Sequence, residues 1–156
     1  MLFDILRTYY FQREAPLSAS TEEESRFLWI GCIDCQSSPL AITGLSPRQL
    51  LIIRNIGHQV CPGNVEIIPM LRNALRISSL KTIIICGHYD CSVLQHALHL
   101  AEQRDQALSW LRPLLATVEK HLVQLEEISD PADRKRKLVH LNIQEQVARL
   151  SRNTLI

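Results

Sequence analysis

Three short apolar runs punctuate the chain: Phe27–Cys32 (FLWIGC), residues 50–54 (LLIIR) and Thr82–Cys86 (TIIIC). Each is nearly continuous in hydrophobicity and rich in β-branched residues, the pattern of strands buried on both faces of a parallel sheet. Between the second and third runs, residues 64–80 place Val65, Ile68, Leu71, Leu75 and Leu80 among polar neighbours. That spacing predicts a crossover helix, so strand, helix and strand form a βαβ unit. Beyond the third run the pattern is helical: over 92–103, over 106–128 with Pro113 as a kink, and over 143–151. Asp130-Pro131 reads as a turn between helices. At the other end, Leu2, Ile5, Leu6, Tyr9 and Tyr10 lay an apolar stripe on a helix over 1–14, followed by a polar connector over 15–26. There is no internal repeat and no low-complexity segment. The expectation is a single α/β domain over 1–156, a small parallel sheet with flanking helices.

Composition narrows the function classes. With 156 residues, 46% hydrophobic and 21% charged, the chain has an ordinary globular balance. A net charge of +1 carries no footprint of a nucleic-acid or membrane-surface partner. The basic run RKRK at 134–137 follows acidic residues and reads as a solvated helix face. No apolar run is long enough to span a bilayer. The N-terminal stretch, with its early Asp4, is not expected to be a signal peptide. Five cysteines, an odd number, argue against a disulfide framework. We expect a cytoplasmic protein whose thiols are kept for metal or chemistry.

The thiols cluster where the pattern puts strand ends. Cys32, Asp34 and Cys35 follow the first run, and His88 and Cys91, within CGHYDC, follow the third. In open α/β sheets, sites form outside the carboxyl ends of strands. Cys-X-X-Cys and His-X-X-Cys converging there offer up to four ligands suited to tetrahedral zinc. A redox pair at Cys32 and Cys35 is the competing reading. It suffers from Pro39, which breaks the helix such a pair would open, and it leaves His88 and Cys91 without a role. Accidental burial of the cysteines is the bland alternative. Cys86 lies inside a strand and Cys61 in a loop before Pro62, so neither reads as a ligand. His96, His99, His121 and His140 read as helix-surface or satisfied core residues. His58, in the loop RNIGHQV after a strand end, stays open.

At these residues the sequence resembles the β-class carbonic anhydrases. The matching stretches are WIGCIDC, ITGLSP (42–47), LIIRNIGHQV (51–60), IICGHYDC (84–91) and, more weakly, NIQEQVARL (142–150). The resemblance implies zinc held by Cys32, His88 and Cys91. It also implies that Asp34 either orients the zinc-bound water or, in a closed form, ligates the metal. Three protein ligands and an open position let zinc lower the pKa of bound water to about 7, and the hydroxide attacks carbon dioxide to give bicarbonate.

Two departures from the family pattern bear on activity. The family's Cys-X-Asp-Ser-Arg is here Cys-Ile-Asp-Cys-Gln, with Cys35 and Gln36 in the last two places. In the family that arginine pairs with the aspartate and holds it off the metal. An amide brings neither the charge nor the bidentate fork. Asp34, or less readily Cys35, is therefore expected as a fourth ligand, making hydration weak or lost. Ser92 replaces the glycine that usually follows His-X-X-Cys and is expected to crowd the pocket floor. The second departure is length: the expected sheet has three strands, ordered 2-1-3, without the family's C-terminal strands. That leaves an edge for a helix or second subunit to cover. The resemblance implies a homodimer or higher oligomer, with the helix over 1–14 packing on the partner. The alternative to an enzyme is a catalytically silent, zinc-stabilised binding, regulatory or assembly protein.

Overall fold

The computed structural model describes residues 26–61, 67–77, 79–103 and 109–152. The helix expected over 1–14 and nearly all of the connector after it lie outside these residues. The three apolar runs form strands β1 (Phe27–Cys32), β2 (Leu50–Asn55) and β3 (Thr82–Cys86), paired in parallel in the order β2-β1-β3. Register runs from Phe27 opposite Leu50 to Cys32 opposite Asn55, and from Phe27 opposite Thr82 to Gly31 opposite Cys86. The three carboxyl ends therefore lie side by side, with Cys32 in the middle. Only the central strand is buried along nearly its whole length; Ile52 on β2 is exposed.

The helices are α1 (Pro39–Thr43), α2 (Ile67–Ile77), α3 (Ser92–Gln103), α4 (Arg112–Lys120), α5 (Leu122–Glu126) and α6 (Pro131–Ser151). Leu28 and Ile30, two apart and hence on one face of β1, pack with Ile67, Leu71 and Ala74 of α2 and with Leu150 of α6. A second core gathers Leu94, Ala97, Leu98 and Ala101 of α3 with Leu114, Leu115 and Val118 of α4 and Leu138, Val139 and Leu141 of α6. Cys32 and Cys91 belong to this second core. Two glycines are fixed by close approach. A Cβ on Gly31 would sit 2.6 Å from the Trp29 indole nitrogen, and one on Gly87 would meet Val139 and Ile143 of α6 at 2.8 and 2.9 Å.

Three helix boundaries differ from the pattern-based expectation, each at a proline. Pro39 opens α1, which Gly44 closes in the left-handed region at φ 68°. Pro113 lies in the first turn of α4 and starts that helix instead of kinking one over 106–128. The segment breaks instead at His121, between α4 and α5. The last helix begins at Pro131, not near 143, because the Asp130 carboxylate accepts the Asp133 N–H at 2.8 Å and caps it. In all three cases proline occupies a first-turn position, where a missing N–H costs nothing. Within the basic run, Arg134 is more than a solvated charge. It donates to the Ile128 carbonyl at 3.1 and 2.9 Å and pairs with Glu102.

Candidate metal centre

The site is built at the point where the chain leaves β1 and β3. Just past β1, the Ile33 N–H still pairs with the Asn55 carbonyl at 3.0 Å, which carries Asp34 out over the strand ends. Arg54 anchors the following loop, donating to the Cys35 carbonyl at 2.5 Å and the Ser37 carbonyl at 2.6 Å. From the other side, the chain after β3 delivers His88, and Cys91 immediately precedes α3. The ligand atoms of Cys32, Asp34, His88 and Cys91 all lie within 4.8 Å of one another.

Distances inside this group test its fitness for zinc. Two thiolates on one tetrahedral zinc, each at about 2.3 Å, stand about 3.8 Å apart. The Cys32 and Cys91 sulfurs are 3.7 Å apart, both buried, and far too distant for a disulfide bond. Two soft thiols, an imidazole and a carboxylate form a donor set that fits zinc. Cys35 is not in the group, so the two sulfurs that meet are Cys32 and Cys91. Among the described residues, Cys61, Cys86 and the other histidines also stay out of it. His96 and His99 are exposed, His140 is 3.0 Å from the Tyr89 hydroxyl, and His121 lies 3.3 Å from Glu145.

The Asp34 carboxylate makes three close contacts, with two residues. Its Oδ1 is 2.7 Å from His88 Nε2, and its Oδ2 accepts from the Ser92 N–H at 2.8 Å and the Ser92 hydroxyl at 2.9 Å. Ser92 does not merely crowd the floor. It holds the carboxylate at the start of α3, where the helix end favours negative charge. Burial opposes ionisation of Asp34, but hydrogen bonds from Cys32, Ser92 and His88 outweigh it and hold the carboxyl well below its usual range. Gln36 is exposed.

The buried thiols share their protons unequally. The hydrogen bond from Cys91 lowers the Cys32 pKa to about 4, against the opposing effect of burial, while the same contact and burial push Cys91 up. His88 is raised: burial works against its protonation, but hydrogen bonds to Cys32 and Asp34 prevail. The contact thus favours the thiolate at Cys32, which is the form a metal needs.

The loop RNIGHQV supplies the remaining wall. Asn55 clamps Gln59 from both sides, its Nδ2 on the Gln59 carbonyl at 2.8 Å and its Oδ1 on the Gln59 N–H at 2.7 Å. The clamp encloses two successive left-handed residues, Gly57 at φ 68° and His58 at φ 44°. As a result the Gly57 N–H points at Cys32 Sγ, 3.2 Å away. Asn142 and Gln146, both fully buried on α6, reach the same turn. Pattern reading assigned these two no role. Their signal was present: two amides four apart on the helix face that also carries Leu138, Leu141 and Leu150.

Comparisons with known proteins agree with this arrangement. The family model described as carbonic anhydrase matches residues 27–156. A carbonic anhydrase of Emericella nidulans is 30% identical over 125 residues, 79% of this chain and 54% of that protein. One of Candida albicans is 30% identical over 127 residues, 81% of this chain and 45% of its own length. The chain thus spans about half the length of the curated relatives it matches. Among solved structures, a tetrameric β-carbonic anhydrase of Sordaria macrospora superposes with a TM-score of 0.77 at 23% identity, covering 97% of this chain and 78% of that one.

Proposed function

The chain belongs to the carbonic anhydrase family, in its β class, and from that premise we propose a zinc protein that interconverts carbon dioxide and bicarbonate weakly. The observation that carries this reading is the convergence of Cys32, His88, Cys91 and Asp34, with sulfurs at a tetrahedral spacing. Cys32, His88 and Cys91 hold the metal. Zinc bound there supplies the Lewis acidity that makes water a nucleophile near neutral pH. Asp34 would orient that water while Ser92 restrains the carboxylate, and would itself join the ligands when the restraint fails. His88 can bind through Nε2 only by giving up its contact with Asp34. The carboxylate then rests on Ser92 alone, because Gln36 brings no guanidinium. Two neutral donors hold a carboxylate less firmly than a bidentate ion pair, which makes activity weak.

A second reading has the same metal and no catalysis, zinc serving only to stabilise a binding, regulatory or assembly protein. The glutamine at position 36 favours it. Stopped-flow carbon dioxide hydration on zinc-loaded protein separates the two. We expect low turnover in the wild type, a gain in Gln36→Arg and a larger one in Cys35→Ser with Gln36→Arg. Wild-type turnover of an efficient enzyme would refute the role given to Gln36. A double variant that is still inactive with zinc bound would leave the silent reading.

We place the protein in the cytoplasm, on its five free thiols, and as a homodimer or higher oligomer. Exposed Ile52 and Ile56, with Ile33 paired beside them, put apolar surface at the β2 edge, and the Sordaria protein is tetrameric. Among the described residues no helix is long and apolar enough to cross a membrane. Sedimentation as a monomer at micromolar concentration would overturn the assembly.

A further inference from the structure

Behind Cys32 runs a chain of buried polar groups that the reading above does not use. The Val60 N–H donates to Gln146 Oε1 at 2.7 Å. That fixes the Gln146 amide, whose Nε2 donates to Asn142 Oδ1 at 2.9 Å. The Asn142 Nδ2 then donates twice, to the Gly57 carbonyl at 3.0 Å and to His58 Nε2 at 2.7 Å. Both ends of the chain are backbone groups, whose donor and acceptor roles are not interchangeable, so every amide orientation between them is determined. His58 Nε2 must accept, and the imidazole proton therefore sits on Nδ1. That nitrogen is fully buried and has no hydrogen-bond partner, in a residue that is 0% exposed. An orphaned buried donor calls for a reason.

The neighbouring Gly57 N–H already reaches Cys32 Sγ at 3.2 Å. His58 also bears on that thiol: after Cys91, which lowers its pKa, and burial, which raises it, the His58 side chain lowers it further. Resting on the assignment of Cys32 as a zinc ligand, we propose that His58 is a positioning residue whose Nδ1–H donates to the Cys32 sulfur, locked in that tautomer by Asn142 and Gln146. Two N–H groups then converge on one ligand thiolate, aim its lone pairs and draw charge from it. Ligand thiolates relieved of such donors bind metal less well and donate more charge to it. His58 holds φ 44°, in the left-handed region where histidine is enriched among non-glycine residues.

The first test reads the tautomer in the wild-type protein. Long-range proton–nitrogen correlation on nitrogen-15-labelled, zinc-loaded protein should show His58 Nδ1 protonated and Nε2 unprotonated. The opposite pattern overturns the proposal. The second test uses cobalt in place of zinc. His58→Phe should keep the native circular dichroism, shift the sulfur-to-cobalt charge-transfer band to lower energy and weaken metal affinity about 10- to 100-fold. His58→Asn, which tolerates the left-handed backbone and keeps an N–H, should recover part of both. Asn142→Asp, an acceptor in place of a donor, should move the proton to Nε2 and mimic His58→Phe. An unchanged band and affinity in a folded His58→Phe protein would show the relay to be purely structural. If His58→Phe fails to fold, the wild-type tautomer decides alone. Failure of the wild type to bind zinc or cobalt would instead sink the metal-site reading, and the tautomer would still be readable.

Discussion

Replacing Ser92 with alanine removes one of the two bonds to Asp34 Oδ2 that, in the proposed function, restrain the carboxylate, and leaves the other. The hydroxyl bond is 2.9 Å long, and the backbone bond at 2.8 Å survives the change. A hydrogen bond to a charged acceptor contributes about 1.5–3 kcal/mol when sheltered. Ser92 is exposed and the Asp34 side chain is 23% exposed, so solvent cuts the value to about 1 kcal/mol. That is about a fivefold shift toward the form with Asp34 on zinc. Ser92→Ala should therefore bind zinc up to about fivefold more tightly in a chelator competition while losing hydration activity by a similar factor. The opposite signs are the diagnostic, since general damage to the site would lower both. In the Gln36→Arg background the ion pair takes over the restraint, and Ser92→Ala should then change little. Looser zinc binding in Ser92→Ala, or an equal effect in both backgrounds, would refute the clamp.

Three further outcomes follow from the geometry. Cys91→Ser should lose zinc by elemental analysis and several degrees of thermal stability, because metal binding here is partly folding energy; full zinc content in that variant would contradict the ligand assignment. Gly57→Ala should be destabilised by about 1–2 kcal/mol for its left-handed backbone, and more for the approach of Leu114 to 3.1 Å from the new Cβ; a chemical-denaturation midpoint equal to wild type would contradict the strain. Glu145 is depressed by its hydrogen bond to Lys120, with burial opposing and His121 assisting. Its contribution is thus present above the ordinary carboxyl range and disappears as pH falls through the lowered folded value. Lys120→Met should cost less than about 1 kcal/mol at pH 7, as a half-exposed pair, and that cost should shrink in acid; the same cost in urea unfolding at pH 7 and in acid would show the pair to be uncoupled from stability.

The elements and most of the metal group were readable along the chain, and the physical reason is local. Nearly continuous apolar runs such as FLWIGC, LLIIR and TIIIC read as parallel strands, although only the first is buried along nearly its whole length, and strand ends in such sheets are where a site forms. Residue type and spacing offered Cys32, Cys35, His88 and Cys91 as ligands, and the resemblance to the β-class carbonic anhydrases singled out Cys32, His88 and Cys91 with Asp34. Helix starts at Pro39, Pro113 and Pro131 were less legible, since proline marks both a break and a beginning and only the cap distinguishes them. What the fold alone decided was which polar groups meet. Cys35 and Cys91 each sit in a spacing that suits a metal, yet it is Cys91 that joins Cys32 in the ligand group. Ser92 becomes a clamp because the turn after β3 sets the first N–H of α3 against a carboxylate from the turn after β1. His58 meets Asn142, eighty-four residues on, and through it Gln146, because α6 crosses the turn after β2. Periodicity reports how a residue faces its own element; which distant donor finds which acceptor is settled only when the elements pack.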